Sequence, residues 1–409
     1  MKWFNKLINT AGTAKRLEEF LKGEDIDGGN TLSGIFVNEE MAMTVSAVFA
    51  CVRVTAEDVA SLPLGLYRRL ERGKEKAHDR PLHYLIHDSP NPDMTAFAFK
   101  ECMMTNLLLW GNAYAQIIRD KHRNIISLHP LLSSRVIVKK NAEGKRVFIY
   151  TNDKGVSYEL AREQVFHVAG IGYDGLTGMS PISIAREAVG LAKTTEIYGN
   201  TFFKNNARPG VVLEHPGQLK DPENVRQSWE KVYKGANNAN KIAVLEEGMK
   251  LREIGIPQKD AQFLETRQFQ LNEICRIFRV PPHLVADLSR STFSNIEHQS
   301  IDYVVHTLRP WLVRWEQAIN LQLLHEWERG EYFSKFNVDA LLRGDFETRM
   351  RGYSVGRQNG WYSANDIREL EDLNPIPTEK GGDEYLVNGN MVSTARAAEK
   401  TTKTGGDTK

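Results

Sequence analysis

The chain has 409 residues, 41% of them hydrophobic and 26% charged, enough for two or three cores of an ordinary soluble protein. Lysine and arginine number 53 against 52 acids, a net charge of +1, so no global basic field marks an electrostatic clamp for nucleic acid. Three scattered cysteines (Cys51, Cys102, Cys275) without C-x-x-C spacing argue for buried thiols in a reducing compartment, and no apolar run approaches the roughly 20 residues that span a bilayer.

Residues 1–34 read as a short amphipathic arm around Trp3, Phe4, Leu7 and Ile8, too short and too charged for a signal-peptide core. A helix over 44–62 places Val48, Val52, Val59 and Leu62 on one face, and Pro63 closes it. Residues 64–69 alternate as a strand. A turn at 89–93 precedes a second helix, 95–109, which stops before Gly111. Strands follow at 113–119, 125–129, 135–139, 147–150 and 165–168, separated by hairpin-like breaks. The first 170 residues therefore form an α+β unit.

Ser180 and Pro181 open the next helix, as cap and first helical position, and it runs to about 206. Residues 209–258 form a small α/β insert: strand 211–213, helix 221–234, strand 242–245, a turn at Gly248 and strand 251–254. A helix over 259–280, with Leu264, Leu271, Ile274 and Phe278 on one face, stops at Pro281-Pro282. Ser294 and Glu297 have capping-box spacing for a long helix. Its stripe (Ile301, Val304, Val305, Leu308, Leu312, Trp315, Ile319, Leu323, Trp327) spans about nine turns, with a kink expected at Pro310. Such a helix needs neighbours along its length. Short helices follow, one near Ser363 with Asp366 as box partner, and residues 379–409 read as a flexible tail.

Several constellations carry possible chemistry. Gly170, Gly172 and Gly175 fit G-x-G-x-x-G after a strand, but the helix opens at Ser180, too late to offer its amides to a pyrophosphate; a structural turn is expected. His298, Asp302 and His306 share a helix face, read as polar surface rather than as metal ligands. No Walker-A lysine motif, G-x-S-x-G, H-E-x-x-H or zinc-type cysteine spacing occurs. The loop 286–295 is small and polar. It is either a plain connector or a mobile contact with a passing polymer, since Ser, Thr and Asn can bond phosphates and one arginine can pair one electrostatically.

Seven stretches in order resemble the portal proteins of tailed bacteriophages, of the HK97 type. They are Val45 through Val52 with Ala60-Ser61-Leu62-Pro63-Leu64; His83 through Leu85 with Ser89-Pro90-Asn91-Pro92; Leu109-Trp110-Gly111-Asn112-Ala113-Tyr114; Asp174-Gly175-Leu176 with Gly178-Met179-Ser180-Pro181-Ile182; Phe203 through Gly210; Phe278 through Leu284; and Asn365-Asp366-Ile367-Arg368 with Gly381-Gly382-Asp383. Asp366 stands where a glutamate is common. The resemblance covers roughly residues 35–390.

It implies a mainly helical α+β portal fold assembled as a ring, typically of twelve subunits (a dodecamer) in the family. Residues 35–180 would be the wing, 181–208 and 259–280 the two stem helices, 209–258 the clip and 281–294 the tunnel loop. The long helix 295–330 would join the wing, and 331–378 would be a helical crown. The implied site is a DNA-facing loop of Asp287, Ser289, Arg290, Ser291, Thr292, Ser294 and Asn295, with Lys193, Lys204, Arg208, Arg267 and Arg276 as channel-lining candidates on the stem. No catalytic residue, cofactor or metal is implied. The implied partners are copies of the chain, double-stranded DNA in transit, the terminase large subunit, capsid and scaffolding proteins, and a head-completion adaptor. The implied location is the capsid vertex of the virion, reached by assembly in the host cytoplasm. Two other readings stay open: a nucleic-acid enzyme whose metal site assembles from Asp260, Glu273, Asp287 and Asp302, and a scaffold that conducts no DNA.

Overall fold

The computed structural model describes residues 31–71, 73–204, 211–218, 221–225, 227, 248–253, 260–287, 299–338, 346–371 and 373–386. The chain divides into two compact units, Met1–Val338 and Asp339–Lys409.

The first unit opens with α1 (Glu39–Ala42), capped by the Asn38 side chain, and α2 (Ser46–Ser61). The expected face of α2 is buried, together with Cys51, Thr55 and Ala56. Leu62 turns to extended backbone before Pro63, and β1 (Leu64–Arg69) follows. Two elements here carry no periodic signature: β2 (Lys74–Lys76), fully exposed, and α3 (Pro81–His87), seven residues long. α4 (Ala96–Trp110) begins on the Thr95 hydroxyl, which accepts from Ala98 N–H at 3.2 Å. It ends at Gly111, whose φ of +73° only glycine adopts freely.

Next come β3 (Asn112–Arg119), β4 (Ile125–Leu131), β5 (Val136–Lys140), β6 (Arg146–Thr151), β7 (Ser157–Ala161) and β8 (Val165–Ala169). Among the described residues the order β4-β3-β8 makes one antiparallel sheet and β5-β6-β7 another. Asn141 and Asn152 nucleate the two turns of the second sheet. Each accepts two backbone amides on its side-chain oxygen, at 2.9–3.0 Å. Tyr114, Leu131, Phe148, Leu160 and Val165 form the core that joins the two sheets.

The helix opened by Ser180 is interrupted. α5 (Pro181–Ile184) gives way at Ala185, and α6 (Arg186–Lys204) carries on. In the insert, β9 (Val211–Glu214) pairs antiparallel with β10 (Lys250–Glu253), and Gly248 turns with φ +75°. Asp221 accepts the Asn224 amide at 3.0 Å, as expected of a cap; the strand at 242–245 lies outside the described residues. α7 (Asp260–Phe278) ends in a Schellman turn: Arg279 has φ +57° and Val280 N–H donates to the Cys275 carbonyl at 2.9 Å.

The Ser294–Glu297 capping box lies outside the described residues. From 299 the chain is helical, and Val304–Leu308 form a π-helical turn before α8 (Arg309–Gln322). Pro310 thus directly follows the π turn, which absorbs the irregularity left by its missing N–H. The helix does not reach Trp327 as the stripe predicted. It stops at Leu323, because the buried Glu328 carboxylate accepts the His325 amide at 2.9 Å and pairs with Arg80, folding 325–331 into turns. Trp327 is exposed. The turns deliver β11 (Tyr332–Phe336) to the edge of β1, giving the order β11-β1-β2. The stretch from 331 expected to be a helical crown therefore begins with a strand of the first unit. Trp315 joins these layers: its ring contacts Phe99 on α4, Phe166 on β8 and Phe336 on β11, at 6.4, 6.0 and 6.5 Å.

In the second unit, α9 (Phe346–Gln358) and α10 (Ala364–Leu370) are joined through Arg349 and Tyr353, both bonded to Glu371. Ser363 and Asp366 form the expected capping box. Residues 379–386, expected as flexible tail, are tied in. Asn365 donates to Ile376 O at 2.9 Å and to Asp383 at 2.7 Å, and its own amide bonds Gly382 O at 2.9 Å.

Candidate functional site

The expected stem opens where the turn at Gly111 meets the loop 170–180. Gly111, Gly170 and Gly178 approach so closely that a Cβ on Gly178 would lie 1.9 Å from the Gly111 carbonyl oxygen, and one on Gly111 2.0 Å from that of Met179. The Asn112 side chain locks the junction, donating to Gly178 O at 2.6 Å and accepting its amide at 2.8 Å. It also bonds His167 Nε2 at 3.0 Å. Of the G-x-G-x-x-G match, Gly170 packs on the Gly111 carbonyl, Gly172 on that of Thr177 within the loop, and Gly175 turns the chain at φ +67° with open space around it. Inside the loop, burial opposes the Asp174 charge, but the amides of Thr177 and Leu176 and the Thr177 hydroxyl hold its carboxyl below the usual range. Ser180 then caps α5 through the Ser183 amide at 3.1 Å.

α6 and α7 pack on each other, and α7 also packs on α2. Their charges are largely self-compensated. Lys193 pairs with Glu196 at 3.2 Å, and Arg276 with Glu273 at 2.7 Å. Arg267 is exposed; Lys204 is the last residue of α6; Arg208 lies outside the described residues. Both helices leave large apolar side chains in solvent: Leu191, Ile197 and Tyr198 on α6, Leu264 and Phe269 on α7.

Beyond α7, a 3-10 turn (Pro282–Val285) leads to Ala286 at φ +65° and to Asp287, whose carboxylate accepts from Gln268 at 3.3 Å. This ties the first of the expected DNA-facing residues to α7. Ser289, Arg290, Ser291, Thr292, Ser294 and Asn295 lie outside the described residues, as does His298. Beside Asp287 a cavity of about 350 Å³ is lined by Ala47, Glu196, Arg267, Gln270, Leu271 and Ile274, among others. Of the acids of the dispersed metal site, Glu273 pairs with Arg276, Asp287 accepts from Gln268, and Asp302 is exposed. Among the described residues no group of three or more His, Cys, Asp or Glu side chains could hold a metal ion.

Two features have no signature in the sequence. Cys51 and Cys275, far apart in the chain, meet in the buried seam between α2 and α7. The cavity is likewise a product of packing. Neither has a local signal beyond the apolar faces that bring the helices together.

The family model described as "Phage portal protein" matches residues 46–372. The chain is 36% identical over 379 residues to the "Probable portal protein" of Streptomyces phage phiC31, covering 89% of this chain and 82% of that one. It is 34% identical over 355 residues to the "Portal protein" of Enterobacteria phage HK97, covering 85% and 82%. Its fold is similar to a chain in the neck of a native gene transfer agent particle computed with C12 symmetry, with TM-score 0.54, 21% identity and coverage of 88% and 93%.

Proposed function

The chain belongs to the phage portal protein family, and on that premise we propose that it forms the ring at one capsid vertex of a tailed phage through which DNA is packaged and later ejected. The observation that carries this is the pair of stem helices, packed on each other yet each holding large apolar side chains in water. A heterologous contact repeated around a closed ring buries one helix face of each chain against the next. Twelve copies accord with the C12 symmetry of the gene transfer agent neck.

The stem also suits a conduit. DNA that must slide needs contacts that do not grip, and each phosphate neutralised by a cation adds salt-dependent affinity. Glu196 and Glu273 already compensate Lys193 and Arg276. The loop that starts at Asp287 is the proposed moving contact, offering Ser, Thr and Asn hydroxyl and amide groups and one arginine. The role requires no catalysis by this chain. Packaging work falls to a terminase large subunit docking on the insert around β9 and β10, which a head-completion adaptor occupies later. Capsid and scaffolding proteins complete the partners, with assembly in the host cytoplasm and final residence in the virion.

Deleting 287–292 tests the reading. The expected result is intact assembly with lost packaging or DNA retention. Packaging at the wild-type level would overturn the assignment of this loop, and metal-dependent cleavage of DNA by the purified chain would favour the enzyme reading.

A further inference from the structure

Cys51 and Cys275 lie 224 residues apart in sequence, yet their Sγ atoms stand 4.0 Å apart, both buried. One sits mid-way along α2, the other one turn from the end of α7. The Cys51 thiol donates to the Cys275 sulfur. That bond pulls the Cys275 thiol below its ordinary pKa, while the same bond and burial push Cys51 up. One partner is thereby the better nucleophile and the other its proton-bearing companion, the asymmetry a dithiol needs to react in two steps. The third cysteine, Cys102, hydrogen-bonds the Asn106 side chain, and burial raises its pKa. Space for a small reagent lies close by. Ala47 and Leu271, each one helical turn before a cysteine of the pair, line the cavity of about 350 Å³. The proposed conduit role uses neither thiol.

We propose that Cys51 and Cys275 are a reversible oxidation site that takes two-electron oxidants of the peroxide class and closes to a disulfide joining α2 to α7. The Cys275 thiolate attacks one peroxide oxygen; the O–O bond breaks, and the departing hydroxide takes up the proton that Cys275 lost. The Cys51 sulfur then attacks the sulfenic sulfur of Cys275, and the S–O bond breaks. The S–S bond forms, and the sulfenic hydroxyl leaves with the Cys51 proton as a second water. Two thiols are oxidised, and one peroxide is reduced to two waters. The sulfurs must close from 4.0 Å to about 2.05 Å. A reducing cytoplasm holds the pair open, and an oxidising medium closes it. Closed, it fixes the end of α7 from which the chain runs on to Asp287.

The test is thiol counting on the purified full-length chain before and after hydrogen peroxide, with alkylation in denaturant and non-reducing peptide mass spectrometry. The expected result is a fall from three alkylatable thiols to one. A Cys51–Cys275 linked peptide appears, Cys102 stays alkylated, and dithiothreitol reverses the change. The melting temperature rises by about 4 °C on oxidation, a rise absent from Cys275→Ser. Three intact thiols alongside methionine sulfoxide, which shows that the oxidant acted, would overturn the proposal. So would a linked peptide that forms only in urea, or one that contains Cys102.

Discussion

The side-chain amide of Gln322 pairs in both directions with the backbone of His167: its Oε1 accepts the His167 N–H at 2.8 Å, and its Nε2 donates to the His167 carbonyl at 2.7 Å. β8 is the edge of the β4-β3-β8 sheet, and Gln322, at the last turn of α8, takes the place of the missing strand. Gln322→Ala removes both bonds and leaves a donor and an acceptor beneath the helix. A loss of about 2 kcal/mol is expected, read as a lower urea midpoint with unchanged slope.

His167 itself sets an acid limit. Burial, with Arg146 nearby, lowers its pKa to about 3. The folded state keeps it neutral, whereas the unfolded chain protonates it near 6.5. Its stabilising contribution is therefore complete above about pH 6.5 and is lost as pH falls toward 3. By pH 4.5 the loss is about 2–3 kcal/mol. His167→Gln should flatten the difference in urea midpoint between pH 7 and pH 4.5; an unchanged pH slope would assign the acid sensitivity elsewhere.

Gly111 and Gly155 share nearly the same backbone angle, with φ of +73° and +77°, but not the same surroundings. Around Gly155 no atom lies within 4 Å of an added Cβ; at Gly111 the Met179 carbonyl oxygen lies 2.0 Å away. Gly155→Ala should cost about 1 kcal/mol, the backbone term alone. Gly111→Ala should cost more than about 3 kcal/mol, since backbone must move, and Gly178→Ala should match it. Thermal melts of the three variants check the order.

Much of the framework is readable from local chemistry. The strand at 64–69, the stop at Gly111 and the Asn-nucleated turns fall where propensity and turn residues put them. What escapes has a physical reason in each case. β2 is Lys-Glu-Lys on an exposed edge and buries nothing, and β7 buries only Leu160, so neither shows alternation. Trp327 continues the spacing of α8 by coincidence, because periodicity cannot register the Glu328–Arg80 pair that ends the helix. At the candidate site the two helices expected as the stem are legible, but not that Glu196 pairs with Lys193 and Glu273 with Arg276, nor that Cys51 meets Cys275. Those contacts depend on how α2, α6 and α7 pack, which no single helix encodes.

Arg279 holds the left-handed position that ends α7, a place that suits glycine. Its carbonyl still receives the Thr307 hydroxyl at 2.6 Å, a bond that does not depend on the side chain. Arg279→Gly should therefore raise stability by about 0.5–1 kcal/mol, measured as a higher melting temperature. A drop would mean that the arginine side chain contributes more than its backbone costs.

Ring formation is tested by native mass measurement with class-averaged electron micrographs of the same sample. The expected result is a closed assembly of about twelve chains with a central hole wide enough for duplex DNA. A chain that stays monomeric even when its capsid and scaffolding proteins are supplied would contradict it.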